Sequence, residues 1–294
     1  MTLEIFWKLA EAGVDRQRGE WGAEARPWAP AADARSRDRQ INHYDYLAQV
    51  ARAAELTGFD GLLIPDDPEG EEPWIVTAAL VRETRRLKIA TAVVPGSASA
   101  VYHAKMAASV QRFSGGRQIW AIDLTRDAAA RAREGDFVPE TDLLPRAEEL
   151  ARLARGIWGE TPHDQEGRFF LVEKGALGSL VAHWPFPELW VLGGGDEAAK
   201  LGDVHFPGKG ASVTILARET QADGDAELAR RSLSEDAVIG TYDEVAQQLA
   251  ALVDAGVTRL VLSAGDQIRE VHIAGEQILP RLRHILSGAT RAAA

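Results

Sequence analysis

Short runs that are apolar throughout alternate along this chain with stretches whose apolar residues recur at helical spacing. Glu4 to Leu9 reads as a strand, and Tyr44, Leu47, Ala48, Ala51 and Ala54 then mark one face of a helix that Gly58 ends. Gly61 to Pro65 predicts a second buried strand, and a helix from Pro73 to Arg85 leads to a third at Lys88 to Val94. A helix over Ala100 to Phe113 ends at Gly115-Gly116, and Arg117 to Leu124 is the fourth strand. Ala147, Leu150, Leu153, Ala154 and Ile157 share the face of a further helix, after which Gly167 to Glu173 reads as a hairpin. Leu189 to Leu192 is the fifth strand and runs into Gly193-Gly194-Gly195.

Beyond that point the pattern thins. Asp203 to Phe206 and Ala211 to Ala217 read as strands six and seven, with no room for a full helix between them. Thr241 and Glu244 have the spacing of a capping box, and Val245, Leu249, Leu252 and Val253 give the buried face behind it. Arg259 to Ser263 is the eighth strand, and a helix from Ile273 to Leu286 closes the pattern. Wholly apolar strands, each followed by a helix, mean a parallel sheet covered on its outside. Eight of them predict an α/β (β/α)8 TIM barrel with a reduced sixth helix, a single domain over residues 1–294. The one long irregular segment, Glu11 to Gln40, leaves the first strand at its C-terminal end. That is the active-site face of such barrels. The segment carries Trp21, Trp28 and several arginines, and is either a lid over the site or a mobile surface loop.

Composition narrows the function classes. A net charge of -11 argues against a nucleic-acid or anionic-membrane surface. With no cysteine, disulfides, thiolate nucleophiles and zinc–thiolate sites are excluded. No stretch approaches the length of a membrane span and the start lacks a signal-peptide pattern, so a cytoplasmic protein is expected. His163 and His205 have no partners at metal-ligand spacing, and no metal site is expected.

Several segments in order resemble the bacterial luciferase-like, flavin-dependent monooxygenases, in their alkanesulfonate monooxygenase-like branch. They include YLAQVARAAELTGFDGLLIP from Tyr46, EEPWIVTAALVRETRRLKIATAVVPG from Glu71, AKMAASVQRFSGGR from Ala104, WVLGGGDEAA from Trp190 and IGTYDEVAQQLAALVDAGVTRLVLSAG from Ile239. The resemblance implies reduced FMN, supplied by a flavin reductase, acting with dioxygen on a small, sulfonate-like substrate. It also implies a homodimer or a heterodimer with a related subunit, at the C-terminal ends of whose strands the flavin lies.

The family's site residues are replaced here. Its histidine after strand one falls at Ala12, its cysteine after strand two near Gly70, and its flavin-contacting tyrosine near Leu144. The Thr-Gly-Gly turn against the flavin reads Leu124-Thr125-Arg126, and the phosphate-binding Ser-Ser pair reads Gly195-Asp196. Its Arg and His on strand seven fall at Ser212 and Thr214, and Ser232 to Glu235 stands in place of a long insertion. A carboxylate at Asp196 repels a phosphate dianion, and Arg126 occupies space that glycine leaves to a planar ring.

By this reading Thr125, Arg126, Gly194 and Gly195 are the cofactor-binding candidates, Trp7, Asp66, Asp123 and Thr214 are the pocket candidates, and no catalytic residue is identified. Each has a plainer alternative. Gly193-Gly194-Gly195 either cradles an anion or makes a structural turn, and Asp66 with Asp67 is either an acid/base pair or a solvated strand end. Arg126 either holds an anion or pairs with Asp123 or Asp127, and Trp7, Trp120 and Trp190 read as core. Two function classes stand open: a monooxygenase with a rebuilt site, and a non-catalytic relative serving as a partner subunit or binding protein.

Overall fold

The computed structural model describes residues 2–9, 43–68, 70–229 and 237–292. The chain divides into two compact units, Met1–Leu62 with Ala211–Ala294, and Leu63–Gly210. The strand Gly61–Ile64, buried throughout, carries the division. Both units are built of parallel strands alternating with helices. The segment Glu11 to Gln40 and the run Ser232 to Glu235 lie outside the described residues.

In the unit that holds the termini the strands stand in the order Val238–Thr241, Gly210–Arg218, Arg259–Ser263, Glu4–Lys8. Glu4 is opposite Arg259 and Val238 opposite Ile215, both in parallel register. Ile5, Phe6, Trp7, Leu260, Val261 and Leu262 are all closed to water, as expected of strands with helices on their outer face. The helix Tyr242–Asp254 begins at the capping box read from the sequence. Thr241 N donates to Glu244 Oε2 at 2.8 Å and Glu244 N to Thr241 Oγ1 at 3.4 Å.

The last helical stretch starts earlier than Ile273. The helix Gln267–Ile273, capped by Asp266, runs through a π turn at Ala274–Ile278 into the helix Leu279–Ala292. The strand Val238–Thr241 and the helix Gln221–Leu228 were not expected. The first is four residues of mixed exposure, and the second buries only Gly224, so neither carries a periodic apolar signal.

In the other unit the strands stand in the order Lys88–Val93, Gln118–Leu124, Glu188–Gly193, Val204–Phe206, again parallel. Helices Pro73–Glu83, Ala100–Ser114 and Leu143–Gly156 supply the covering layer. Gly115 ends the second of these in the left-handed conformation, φ 69°, which a glycine adopts at no steric cost. Arg117 then ties this turn to the end of the preceding helix: its guanidinium donates to Leu87 O at 2.7 Å, Val81 O at 3.1 Å and Thr84 O at 3.2 Å. A buried polar chain joins Thr77, Thr91 and Gln118, with Oγ1 atoms 2.7 Å apart and Gln118 Nε2 donating to Thr91 Oγ1 at 3.1 Å. Both threonine hydroxyls and the Gln118 amide nitrogen find partners, and these bonds link the helix Pro73–Glu83 to the two strands.

One expectation for this unit is corrected. The hairpin strands are His163–Glu166 and Leu171–Gly175, so Gly167 to Phe170 is its turn. The cause is Glu149, 4% exposed, whose carboxylate accepts from the amides of Arg168, Phe169 and Phe170 at 3.1, 3.1 and 2.6 Å. The short helix Ala128–Arg133, capped by Asp127, also went unread because it buries only Arg131. Between Phe206 and Gly210 there is a turn and no helix, as the short interval required. Among the described residues no helix is long and apolar enough to cross a membrane.

Candidate functional site

Parallel strands place all their C-terminal ends on one edge of a sheet. In the unit Leu63–Gly210 that edge receives Val93 and Val94, Asp123 to Arg126, and Gly193 to Gly195, with Asp66 two residues past Ile64. A cavity of about 720 Å³ opens there, walled by Trp74, Val93, Val94, His103 and Phe137, with Asp66 and Glu134 among its polar residues.

Arg126 governs the polar side of this cavity. It is 8% exposed, and its guanidinium forms ion pairs with the carboxylates of both Asp66 and Glu134. These partners correct the expectation of Asp123 or Asp127. Asp123 is occupied by Thr125, whose N and Oγ1 donate to its Oδ1 at 2.8 and 2.6 Å, and Asp127 caps a helix by accepting from Ala130 N at 2.7 Å. Burial pushes the Asp66 carboxyl up to about 6, with Arg126 pulling it down and Glu134, Asp123 and Glu72 adding to the rise. A cavity-lining carboxyl that exchanges its proton near neutral pH has the property a general acid or base needs.

A second arginine braces the cavity wall. Arg146 grips Asp136 with two hydrogen bonds, at 3.0 and 2.5 Å, and these hold the Asp136 carboxyl below the usual range. Gly96, at φ 109°, makes room for this guanidinium, which any Cβ there would strike. His103 sits in the same wall, 2% exposed, and burial lowers its imidazole to about 4, so it is neutral. Ser97 Oγ donates to Val94 O at 3.0 Å and therefore accepts from His103 Nε2 at 3.2 Å. The ring proton is thus on Nε2, and Nδ1 is a bare acceptor.

The glycine turn borders a second cavity, of about 580 Å³, lined by Leu124, Leu144, Gly194, Gly195, Glu140, Glu148 and Glu197 among others. Gly193, Gly194 and Gly195 all have positive φ, and a Cβ on Gly194 would come within 2.8 Å of Ala198 and Leu124. His205 Nε2 lies 3.0 Å from Gly193 O. Asp196 is exposed at the start of the single 3-10 turn Asp196–Lys200. Among the described residues, three glutamates and no lysine or arginine line this cavity. That donor set does not fit a phosphate dianion, which needs N–H or cationic donors.

The residues singled out from the sequence therefore separate. Asp66, Asp123, Thr125 and Arg126 lie together at the C-terminal edge of one sheet, and Gly194 and Gly195 border the second cavity. Trp7 belongs to the core of the terminal unit, 0% exposed, with Nε1 donating to Gln267 Oε1 at 2.9 Å and its ring edge-to-face with Phe59. Thr214, half-buried in that same unit, pairs with Ser263 at 3.1 Å. The sequence reading missed Trp74, His103, Glu134, Asp136 and Arg146. A usable signal existed for His103: it stands on the same buried face as Ala100, Ala104 and Ala107, where a polar side chain is out of place.

A family model described as luciferase-like monooxygenase matches residues 23–231. Among solved structures, the EDTA monooxygenase of Chelativorans sp. BNC1 is similar with a TM-score of 0.76 at 16% identity, covering 97% of this chain and 94% of that one. A riboflavin lyase is similar with a TM-score of 0.75 at 15% identity, covering 97% and 92%. The coenzyme F420 dependent tetrahydromethanopterin reductase of Methanopyrus kandleri gives 0.69 at 14% identity, covering 96% and 100%. At such identities these likenesses speak for the fold alone.

Proposed function

The chain belongs to the luciferase-like monooxygenase family, and on that premise we propose that it is an oxidoreductase acting on a small organic substrate. In this reading reduced FMN and dioxygen are loosely held co-substrates, with the flavin delivered by a separate reductase. The observation that carries the reading is the cavity of about 720 Å³ at the strand ends, apolar on one side and carrying a titratable carboxyl on the other. Trp74, Val93 and Val94 would hold the hydrocarbon part of a substrate and exclude water. Asp66 would give or take a proton at its carboxyl, and Arg126 would keep that carboxyl in place. The reading carries with it a cytoplasmic protein that pairs with itself or with a related subunit.

Among the described residues no phosphate grip supports a resident flavin at Gly194 to Asp196, since glutamates line that cavity. The same lining favours a second reading, in which the chain is a non-catalytic relative serving as a partner subunit or binding protein. Two measurements decide between them. Quenching of flavin fluorescence should report an FMN affinity weaker than micromolar. Oxygen uptake with FMN, NADH and a flavin reductase should then rise above the reductase-only rate when substrate candidates are added. Uptake that no added compound changes would favour the non-catalytic reading.

A further inference from the structure

The substrate cavity holds more carboxylates than cations. Asp66, Glu72, Glu134 and Asp136 all line it, and Arg146 is the one arginine or lysine among the described lining residues. That arginine is already gripped by Asp136 through two hydrogen bonds. Arg126 is likewise occupied, with Asp66 and Glu134 both on its guanidinium. Four carboxylates against two guanidiniums leave two negative charges in excess when all the acids are ionised. No cation among these groups is left over for an anionic ligand.

Two buried nitrogens stand in the same wall. Trp74 and His103 are 5% and 2% exposed, and Trp74 Nε1 and His103 Nδ1 have no hydrogen-bond partner among the described residues. Polar nitrogens buried in this way are costly unless something satisfies them. The hydrogen bonds at Ser97 fix what they offer. His103 Nδ1 carries a lone pair and accepts an N–H, whereas the indole N–H of Trp74 donates to an oxygen. Beside this apolar wall, the charge that lines the cavity is negative in excess.

We propose that this cavity selects a small organic amine, cationic in solution, and rejects anions such as sulfonates and carboxylates. The proposal rests on the reading of this cavity as the substrate site and names the substrate class it takes. The ammonium group lies beside the carboxylates of Asp66 and Glu134, and the hydrocarbon part packs on Trp74, Val94 and Phe137. This class differs from the sulfonate-like substrate that the sequence resemblance implied.

Three probes on one skeleton test it: benzylamine, benzyl alcohol and phenylmethanesulfonate, titrated calorimetrically into the full chain at neutral pH. Benzylamine should bind at least about ten-fold tighter than the alcohol, a free-energy difference of about 1.4 kcal/mol, with the sulfonate weakest. Glu134→Gln should narrow the preference for the amine. Asp136→Asn should free the Arg146 guanidinium and raise the affinity of the sulfonate. If the sulfonate or the alcohol binds as tightly as the amine, the inference falls and the cavity stands as a substrate site. If none of the three binds, both the inference and the assignment of the cavity fall.

Discussion

Two arginines close two strands of this protein, and each faces two carboxylates, yet the sites differ in what they can do. Arg218 ends the strand Gly210–Arg218 and grips Glu270 through two hydrogen bonds at 3.0 and 2.7 Å, with Glu227 at 3.4 Å. Its remaining reach goes to its own neighbour, Ala217 O, at 2.7 Å. Glu270 is 1% exposed, so this pair is sealed. Arg126 follows the strand Gln118–Leu124 and is as deeply buried, but its partners Asp66 and Glu134 line a cavity. The same pairing chemistry makes a closed clamp in one unit and an adjustable wall in the other. Glu270 is closed to water beside its arginine, whereas Asp66 also faces a cavity and can exchange its proton there.

Removing a partner from the sealed pair should have the largest effect. Glu270→Ala leaves a buried guanidinium unpaired and should cost about 3–5 kcal/mol of stability, read from urea unfolding. A loss below about 1 kcal/mol would mean that water reaches Arg218, and the contrast between the two sites would lose its basis. Arg126→Met should cost less, about 1–3 kcal/mol, because the cavity can hydrate the carboxylates left behind. It should also move the Asp66 titration above its present value of about 6, since Arg126 is the group that pulls it down. Glu134→Gln should change stability by less than about 1 kcal/mol, as expected for a half-exposed partner. It should shift Asp66 the other way, because Glu134 contributes to the rise. Carboxyl-carbon NMR of Asp66 in the two variants distinguishes these directions, and a shift of the same sign in both would refute the assigned roles.

The difference between the two sites also shows what a sequence can reveal. Strand ends were legible because each apolar run is bounded by polar or glycine residues, as at Ile64-Pro65-Asp66 and Leu192-Gly193. The capping box at Thr241 was legible because its four residues form the whole structure. The sequence singles out Arg126, but it suggests partners nearby in the chain, Asp123 or Asp127. Its partners are Asp66, past the end of a strand that Lys88–Val93 separates from the strand before Arg126, and Glu134, brought close by the helix Ala128–Arg133 that has no apolar stripe to announce it. The hairpin was misplaced for a related reason: its turn is held by Glu149, eighteen residues before Gly167, and no local turn signal encodes that contact. The glycine turn was legible as a strand end, whereas the three glutamates that line the cavity beside it come from separate segments of the chain.

The smallest effect concerns pH, and it tests whether the cavity wall behaves as two opposed titrations. The Asp66 carboxyl is raised from 3.8 to about 6, so the folded protein holds that proton where the unfolded chain has released it. Its contribution to stability is present below about pH 4 and is lost as the pH climbs to about 6. His103 has the reverse sign. Its imidazole is lowered from 6.5 to about 4, so its contribution is present above pH 6.5 and is lost as the pH falls towards 4. Across the same interval the two slopes oppose each other, and the wild-type protein sees mainly their difference. Asp66→Asn removes the falling slope, so stability should climb with pH more steeply than in the wild type. His103→Gln removes the rising slope, so stability should fall with pH relative to the wild type. Urea unfolding at a series of pH values between about 4 and 6.5 measures both. Curves for the two variants that run parallel to the wild type would show that neither group titrates as its surroundings require.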